Sequence, residues 1–137
     1  MGNEEFSWPV RVYYEDTDCA GIVYHASFLR FMERARTEWL RSHGFDLPDL
    51  RIEHGVLFTV SRLRIEYLRP AQFNDLLDVG LRLTRFGGAS LLLDQNVYRN
   101  PRELLCRAEV RIACVDATTM RPRPIPQAVC TELKRDC

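Results

Sequence analysis

The hydrophobic pattern changes its period once along the chain, and this change constrains the fold more than any other feature. Residues 27–42 have the spacing of an amphipathic helix, with charged side chains away from one apolar face. That apolar face carries Phe28, Met32, Ala35, Trp39 and Leu40. From Val56 onward, apolar residues alternate with polar ones, as in strands with one buried face. An earlier alternating segment, with apolar side chains at Val10, Val12 and Tyr14, precedes the helix. The order is therefore strand, long helix, then four strands.

Turn-forming residues separate the four later strands. Their apolar alternation covers residues 56–67, 77–83, 91–97 and 106–114. The phase of the first alternation reverses near Ser61 and Arg62, which predicts a β-bulge. Gly87-Gly88 and Asn100-Pro101 end the next two strands. Because short turns join the strands, we expect an antiparallel sheet in an α+β fold, with the helix covering one face.

Other residues mark the ends of shorter elements. We expect Gly44 to end the long helix and 47–50 to begin a short helical connection. The proline-rich segment 121–126 cannot continue a central strand, and a short helix is expected from about Gln127. Since no repeat or linker-like composition interrupts the chain, residues 1–137 are expected to form a single domain.

Charge and composition disfavour several classes of partner. The formal net charge is +0, so the sequence gives no overall attraction to nucleic acid. No apolar run approaches the roughly 20 residues that span a bilayer. The five cysteines form no C-x-x-C pair, which favours a reducing compartment. We therefore expect a soluble cytoplasmic protein.

A loop with two acids lies between the first strand and the helix. It runs Tyr14-Glu-Asp16-Thr-Asp18-Cys-Ala-Gly21-Ile-Val-Tyr-His25 and leads directly to a helix N-terminus. Such a terminus presents unpaired N–H groups and the positive end of a dipole. The junction is therefore a natural place for a site that binds or stabilises negative charge.

Three alternative readings of this loop find little support in the rest of the chain. A phosphatase loop would need a parallel sheet with helical crossovers and a lysine for the phosphoryl group, and Lys134 is the chain's single lysine. A calcium loop fails because Ala20 cannot ligate and Ser27 stands where a bidentate Glu is expected. A metal site on Asp16, Asp18 and His25 is conceivable, but no second ligand cluster supports it.

The loop and the helix together resemble a known family. The string of residues 14–25, continued by Phe28-Leu-Arg-Phe-Met-Glu33-Arg-Ala-Arg36, is similar to the acyl-CoA thioesterases of the hydroxybenzoyl-CoA thioesterase class. The YbgC-like, Tol-Pal-associated branch is the most similar. This resemblance covers essentially the whole chain. It implies a hot-dog fold, in which a five-stranded antiparallel sheet wraps around one helix.

The resemblance also implies an assembly and a reaction. Two subunits would join their sheets edge to edge as a homodimer, dimers would pair into a homotetramer, and active sites would lie at the subunit interface. The enzyme would hydrolyse acyl-coenzyme A to a free acid and coenzyme A. No metal and no cofactor are implied, since coenzyme A is part of the substrate.

By the same resemblance, Asp18 matches the catalytic aspartate, Gly21 a turn glycine, and His25 the helix-start residue whose amide contacts the thioester carbonyl. A carboxylate near a helix N-terminus stays ionised, so it can attack the thioester or deprotonate water. Amide donors there can stabilise the oxyanion. Asp18 could instead be a simple helix cap. The resemblance does not say how much of the role of His25 is carried by its ring and how much by its backbone amide. Tyr14 is expected to line the acyl pocket or to hydrogen-bond Asp18.

The remaining polar residues of the loop and helix are given structural roles. Asp16 is expected to hydrogen-bond the loop. Another hot-dog branch uses a helical glutamate as nucleophile, but here Glu33 is expected to be solvated or to form a salt bridge. Cys19 is discounted as a nucleophile because no lysine lies nearby to activate it.

Substrate contacts are expected from two segments. The residues that the resemblance assigns to substrate or coenzyme A are Gly21, Val23, Tyr24, Arg85, Gly87, Ala89 and Ser90. The turn 85–90 is equally consistent with an ordinary hairpin. Arginines suited to the phosphates of coenzyme A are Arg62, Arg64, Arg82, Arg85 and Arg99. The acyl pocket is expected among Phe28, Phe31, Met32, Phe58 and Tyr67, which do not define the acyl group.

Two other functions remain alternatives. The chain could act on acyl carrier protein, or it could recognise an acylated carrier protein or a membrane-associated complex while hydrolysing little. A hot-dog dehydratase is disfavoured because those enzymes resemble a different Asp/His arrangement.

Overall fold

The computed structural model describes residues 5–100 and 102–134. Pro101 of the predicted turn and Cys137 lie outside these ranges. The strands and helices are β1 (Phe6–Arg11), a 3₁₀ turn (Tyr14–Asp16), α1 (Ser27–Ser42), α2 (Leu47–Asp49) followed by a π-helical turn (Leu50–His54), β2 (Val56–Tyr67), β3 (Leu76–Phe86), β4 (Ser90–Arg99), β5 (Glu103–Asp116) and α3 (Gln127–Leu133).

The five strands form a single antiparallel sheet in the order β1-β3-β4-β5-β2. The α+β class and the antiparallel sheet predicted from the sequence are therefore confirmed. The expectation that all four later strands follow one another by tight turns is wrong for β2 and β3. After β2, the N–H groups of Leu68 and Arg69 both donate to the Leu105 carbonyl, and the chain then crosses the end of the sheet to reach β3. β2 therefore becomes an edge strand.

The predicted boundaries of the main elements agree with the structure. α1 spans the predicted residues, and Gly44 follows it with a φ of +88°, where a side chain would be strained. The N–H of Phe45 returns to the Leu40 carbonyl at 2.9 Å, which closes the helix end. The register shift between Val60 and Arg62 confirms the predicted bulge in β2.

β1 is shorter than its alternating pattern indicates. The strand ends at Arg11, whereas the pattern continues to Tyr14. The Asp16 carboxylate accepts the Tyr13 N–H at 2.8 Å and turns the chain into a 3₁₀ helix. A local side-chain bond thus replaces the ladder of the strand.

The core lies between α1 and the face of the sheet that carries the buried residues of β3, β4 and β5. Gln95 of β4 is fully buried there, and its Nε2 donates to the Met32 carbonyl of α1 at 3.0 Å. Its Oε1 accepts from Arg36 at 2.9 Å. Burial lowers the pKa of Arg36. Because a buried amide must keep its partners, these bonds fix the position of α1 on the sheet.

Among the helices in the described part of the chain, none combines the length and apolarity needed to cross a membrane.

Candidate functional site

Asp18 lies on a tight turn between the 3₁₀ helix and α1. The Gly21 N–H donates to the Asp18 carbonyl at 2.9 Å, and the Asp18 N–H donates to the Ile22 carbonyl at 3.0 Å. Gly21 has a φ of +80°, so the turn requires a residue without a side chain. Oδ1 of Asp18 accepts the Ala20 N–H at 2.9 Å. The side chain is exposed and caps its own turn, not the helix.

Asp16 is buried beneath this loop and stabilises it through hydrogen bonds. Its side chain is only 4% exposed, and its carbonyl oxygen accepts the Tyr24 N–H at 2.9 Å. Together with the bond from Tyr13 to its carboxylate, this ties both ends of the loop to one residue. The structural role expected for Asp16 therefore agrees with its contacts.

The start of α1 has unpaired backbone donors. No side chain caps the helix, since Ala26 occupies the N-cap position. Within residues 5–100 and 102–134, the N–H groups of His25 and Ala26 donate to no acceptor. The neighbouring Ser27 N–H is satisfied by the Tyr24 carbonyl at 2.8 Å. A helix start with two free donors is suited to an oxyanion.

His25 and Tyr67 meet beside an apolar cavity of about 300 Å³. The Tyr67 hydroxyl donates to the His25 carbonyl at 2.9 Å, and the two rings meet edge to face. Burial raises the pKa of Tyr67. The cavity is lined by Ile22, Val23, His25, Phe28, Tyr67, Leu68, Arg69 and Pro70. The hydrogen bond and the segment 68–70 were not predicted, because the sequence does not show that β2 ends beside the helix start.

The other residues predicted near Asp18 have different surroundings. Val23 is buried and donates its N–H to the Ala71 carbonyl, whereas Tyr24 is exposed with its ring 4.6 Å from that of His25. Tyr14 is 81% exposed and packs edge to face against Phe73. In the described part of the chain, no hydrogen bond joins the Tyr14 hydroxyl to Asp18.

The predicted acyl-pocket residues separate into three places. Phe28 and Tyr67 line the cavity at the helix start. Phe31 and Met32 are fully buried in the core. Phe58 borders a second cavity of about 100 Å³ between α1 and β2, together with Glu33 and Arg36. Glu33 is exposed there and accepts a hydrogen bond from Thr37.

Arg99 is engaged in ion pairs at the end of the sheet nearest Asp18. It contacts Asp75 at 2.7 Å and Glu103 at 3.0 Å, and these pairs raise its pKa and lower that of Glu103. Asp75 also accepts the Gln72 N–H at 2.8 Å. Arg99 therefore helps to hold Asp75 at the end of the segment 68–75, and its guanidinium is already engaged with two carboxylates.

The turn 85–90, which contains Arg85, Gly87, Ala89 and Ser90, lies at the opposite end of the sheet from Asp18. β3 runs from Leu76, beside the Asp18 end, to Phe86, which is roughly 35 Å for eleven residues. Ala89 lies near the start of β2, since its carbonyl accepts the Cys114 N–H. One chain alone therefore does not bring this turn to Asp18.

Comparison with known proteins agrees with this architecture. The model of the thioesterase-like superfamily matches residues 12–133. The acyl-CoA thioester hydrolase YbgC of Escherichia coli O6:H1 is 44% identical over 98% of this chain and 100% of its own length. The acyl-CoA thioesterase YbgC of Haemophilus influenzae is 46% identical over 94% of each chain. The crystal structure of a probable thioesterase from Bartonella henselae matches with a TM-score of 0.85 at 36% identity, covering 90% of this chain and 100% of its own.

The sheet, the helix and these similarities together define a hot-dog thioesterase, which confirms the fold that the resemblance implied. The chain belongs to the thioesterase-like superfamily, and its similarity to the YbgC proteins extends over nearly its full length.

Proposed function

We propose that this protein hydrolyses the thioester of acyl-coenzyme A, with Asp18 as the catalytic carboxylate. The observation that carries this proposal is the pairing of an exposed carboxylate on a glycine turn with a helix start whose His25 and Ala26 amides are free. The names of the YbgC relatives, which describe acyl-CoA hydrolysis, support the same substrate class.

Each part has a task in hydrolysis. The acyl group enters the apolar cavity beside His25 and Tyr67, so that the thioester carbonyl faces the helix start. Negative charge develops on the carbonyl oxygen, and the free amides together with the helix dipole stabilise it. Asp18 either attacks the carbonyl carbon, giving an anhydride that water cleaves, or removes a proton from the attacking water. The carbon–sulfur bond breaks and coenzyme A leaves as a thiol.

The active unit is proposed to be a homodimer joined along β2. This strand is twelve residues long, lies at the edge of the sheet and has no partner on its outer side among the described residues. Its exposed apolar residues Val60, Leu63 and Tyr67 lie on the helix side, across from buried residues of β5. α1 covers them only in part because it packs mainly against β1 and β3. A long apolar edge is a template for pairing with a second chain.

Antiparallel pairing of two β2 strands also explains the distant turn. Val56 begins β2 near Ala89, and Tyr67 ends it beside His25. A two-fold axis across β2 would bring the 85–90 end of one copy to the Asp18 end of the other. The turn 85–90 would then contact coenzyme A bound at the partner's Asp18.

The test is thiol release from a panel of acyl-CoA thioesters by Asp18→Asn and by the matched control Glu15→Gln. Glu15 is an exposed carboxylate of the same loop. We expect Asp18→Asn to lower kcat by about 10³-fold, as for loss of a catalytic acid or base, while Glu15→Gln stays near wild type. Equal rates for wild type and Asp18→Asn on every substrate would reject the mechanism.

Two further measurements refine the proposal. A single turnover in oxygen-18 water identifies Asp18 as the nucleophile if the label enters its carboxylate. Acyl-coenzyme A and acyl carrier protein present the acyl group on the same pantetheine arm, so both are candidate substrates. Parallel assays compare the rates of thiol release from the two. If the thiol is released faster from acyl carrier protein, then the acylated carrier protein, and not acyl-coenzyme A, is the substrate.

A further inference from the structure

Four charged side chains form a continuous network at the end of the sheet that carries Asp18. Arg99 of β4 contacts the Asp75 carboxylate at 2.7 Å and the Glu103 carboxylate at 3.0 Å. Glu103 also contacts Arg69 at 3.1 Å. The Arg99 side chain is 27% exposed, and its two carboxylate partners are 21% and 29% exposed. A guanidinium between two half-buried carboxylates is a fixed arrangement, unlike an isolated surface ion pair.

One oxygen of Asp75 connects this network to the backbone. Its Oδ2 accepts both the Arg99 Nη1 donor at 2.7 Å and the Gln72 N–H at 2.8 Å. Gln72 forms an antiparallel β-bridge with Ile22. The Ile22 carbonyl accepts the Asp18 N–H at 3.0 Å. Arg99 is therefore joined to the backbone of Asp18 by an unbroken series of short contacts.

The turn 72–75 depends on contacts from outside it, because its backbone is strained. Asn74 has a φ of +74°, in the left-handed region that residues other than glycine seldom adopt. Its carbonyl accepts from Arg11 at 2.7 Å, and its N–H donates to the Val12 carbonyl at 3.0 Å. The Asp75 carboxylate closes the other side of the turn. Loss of the Asp75 contacts would therefore let this turn relax.

The same network holds a wall of the cavity at the helix start. Arg69 lines this cavity, and Glu103 fixes its side chain. Next to it, Ala71 is fully buried, and its carbonyl accepts the Val23 N–H at 2.8 Å. The turn that carries Asp18 and the wall of the proposed acyl site therefore depend on one set of ion pairs.

We propose that Arg99 is a positioning residue, which acts through Asp75 to hold Asp18 in place relative to the helix start. This role rests on the proposed function and adds a residue to it. The Arg99 guanidinium is engaged by two carboxylates, so the backbone transmits its effect on the reaction. Hydrolysis needs the carboxylate and the oxyanion donors in register, and a displacement of about 1 Å costs about 100-fold in rate.

The first experiment measures thiol release by Arg99→Gln and Asp75→Ala, after circular dichroism has shown that each variant is folded. We expect kcat to fall about 10- to 100-fold and KM to stay within about twofold, because the carboxylate is displaced while the substrate contacts remain. The double variant should be no slower than Asp75→Ala, since both changes break the same contact. Additive losses would mean that the two residues act separately, which contradicts the proposal.

The matched control for these variants is Arg107→Gln. Arg107 also forms an arginine–carboxylate pair on the sheet, at 2.6 Å to Glu66, but neither residue contacts the segment 68–75 through that pair. We therefore expect kcat of Arg107→Gln to stay near that of wild type.

The second experiment measures the loop without catalysis. Hydrogen exchange, followed by NMR, reports the amides of Asp18 and Val23, which are bonded to backbone carbonyls. We expect both amides to exchange about tenfold faster in Arg99→Gln than in wild type or Arg107→Gln. Because no substrate is present, faster exchange supports the positioning contact even if wild type releases no thiol. Absence of thiol release by wild type rejects the proposed function alone.

Three results would overturn the positioning role. Equal exchange in Arg99→Gln and wild type would show that the loop keeps its place without the ion pairs. A kcat of Arg99→Gln equal to that of an active wild type, or an equal loss in Arg107→Gln, would remove the link to catalysis. A higher KM for acyl-CoA but not for acyl-pantetheine, which lacks the nucleotide, would assign Arg99 to substrate binding instead.

Discussion

The hydroxyl of Tyr67 donates a hydrogen bond of 2.9 Å to the backbone carbonyl of His25. This bond joins the end of β2, an edge strand, to the residue that precedes α1. The His25 carbonyl shares its peptide unit with the N–H of Ala26, one of the two proposed oxyanion donors, so the edge strand and the proposed catalytic loop are mechanically linked. The same strand is the proposed dimer edge, so assembly and active-site geometry depend on one element.

Tyr67→Phe is expected to reduce activity more than stability. The ring contacts remain, but the bond that orients His25 is lost. We expect kcat to fall about tenfold, and the free energy of unfolding to fall by about 0.5–1.5 kcal/mol, the net value of one hydrogen bond. Steady-state kinetics and urea unfolding measure the two effects. Tyr98→Phe, which removes a tyrosine hydroxyl on β4, is the control, and an equal loss of kcat there would contradict the prediction.

Substitutions of Asp16 and of Asp18 are expected to have opposite effects: the first should mainly reduce stability and the second mainly reduce activity. Asp16→Ala removes the buried carboxylate that accepts the Tyr13 N–H, so the free energy of unfolding should fall by about 1.5–3 kcal/mol, the value of a hydrogen bond to a charged group. Asp18→Ala removes an exposed side chain and should change stability by less than about 0.5 kcal/mol while abolishing hydrolysis. Thermal melts and thiol release are measured on both variants. A stable, active Asp16→Ala would show that the loop does not depend on this residue.

Gly21→Ala is expected to destabilise the turn through its backbone alone. No atom lies within 4 Å of the added Cβ, but the φ of +80° costs about 1–2 kcal/mol for a residue with a side chain. Gly88→Ala is the matched control, because its Cβ also meets no atom and its φ is outside the left-handed range. Chemical unfolding should show a loss in the first variant and none in the second. Equal effects would reject the backbone explanation.

Val60→Lys combined with Leu63→Lys is expected to dissociate the proposed dimer. Both side chains are exposed on β2, and two lysines per copy would place like charges across the two-fold axis. Light scattering after gel filtration should give twice the chain mass of 16.0 kDa for wild type and a single chain mass for the variant. Leu76→Lys on β3, also an exposed leucine, should stay dimeric. A monomeric wild type would reject the dimer outright.

Cys19→Ala is expected to retain kcat within about twofold, since the proposed mechanism uses no thiol. Cys19 is exposed, whereas burial raises the pKa of Cys106 to about 12 and that of Cys114 to about 11. At pH 8 a maleimide should therefore label Cys19 in the folded protein and spare the two buried thiols, which stay protonated. Peptide mapping measures the labelling. Loss of activity in Cys19→Ala would make this thiol a candidate nucleophile.

Much of the fold follows from local pattern. The helix from Ser27 to Ser42, the bulge near Ser61 and the helix from Gln127 were all predicted from residue periods and turn residues, because those signals act within a few positions. The premature end of β1 was missed, since a single bond from Asp16 outweighs the alternation of its neighbours.

The candidate site was only partly predictable, because some of its contacts are local in sequence and others join distant segments. The glycine turn at Gly21 and the acids of its loop are contiguous in sequence, so their arrangement could be anticipated. The contact of Tyr67 with His25 joins residues 42 positions apart, and nothing local encodes it. The contacts that link Arg99 to the backbone of Asp18 likewise join segments that are distant in sequence.

Most helices and strands, and the carboxylate turn immediately before a helix start, could be predicted from short stretches of sequence. Local periodicity and backbone preference are sufficient for that. The position of β2 at the edge beside β5, and that of the turn 85–90 at the far end from Asp18, became known from the folded chain. Strand order depends on how apolar faces that are distant in sequence share one core, and it is set when the sheet packs around α1.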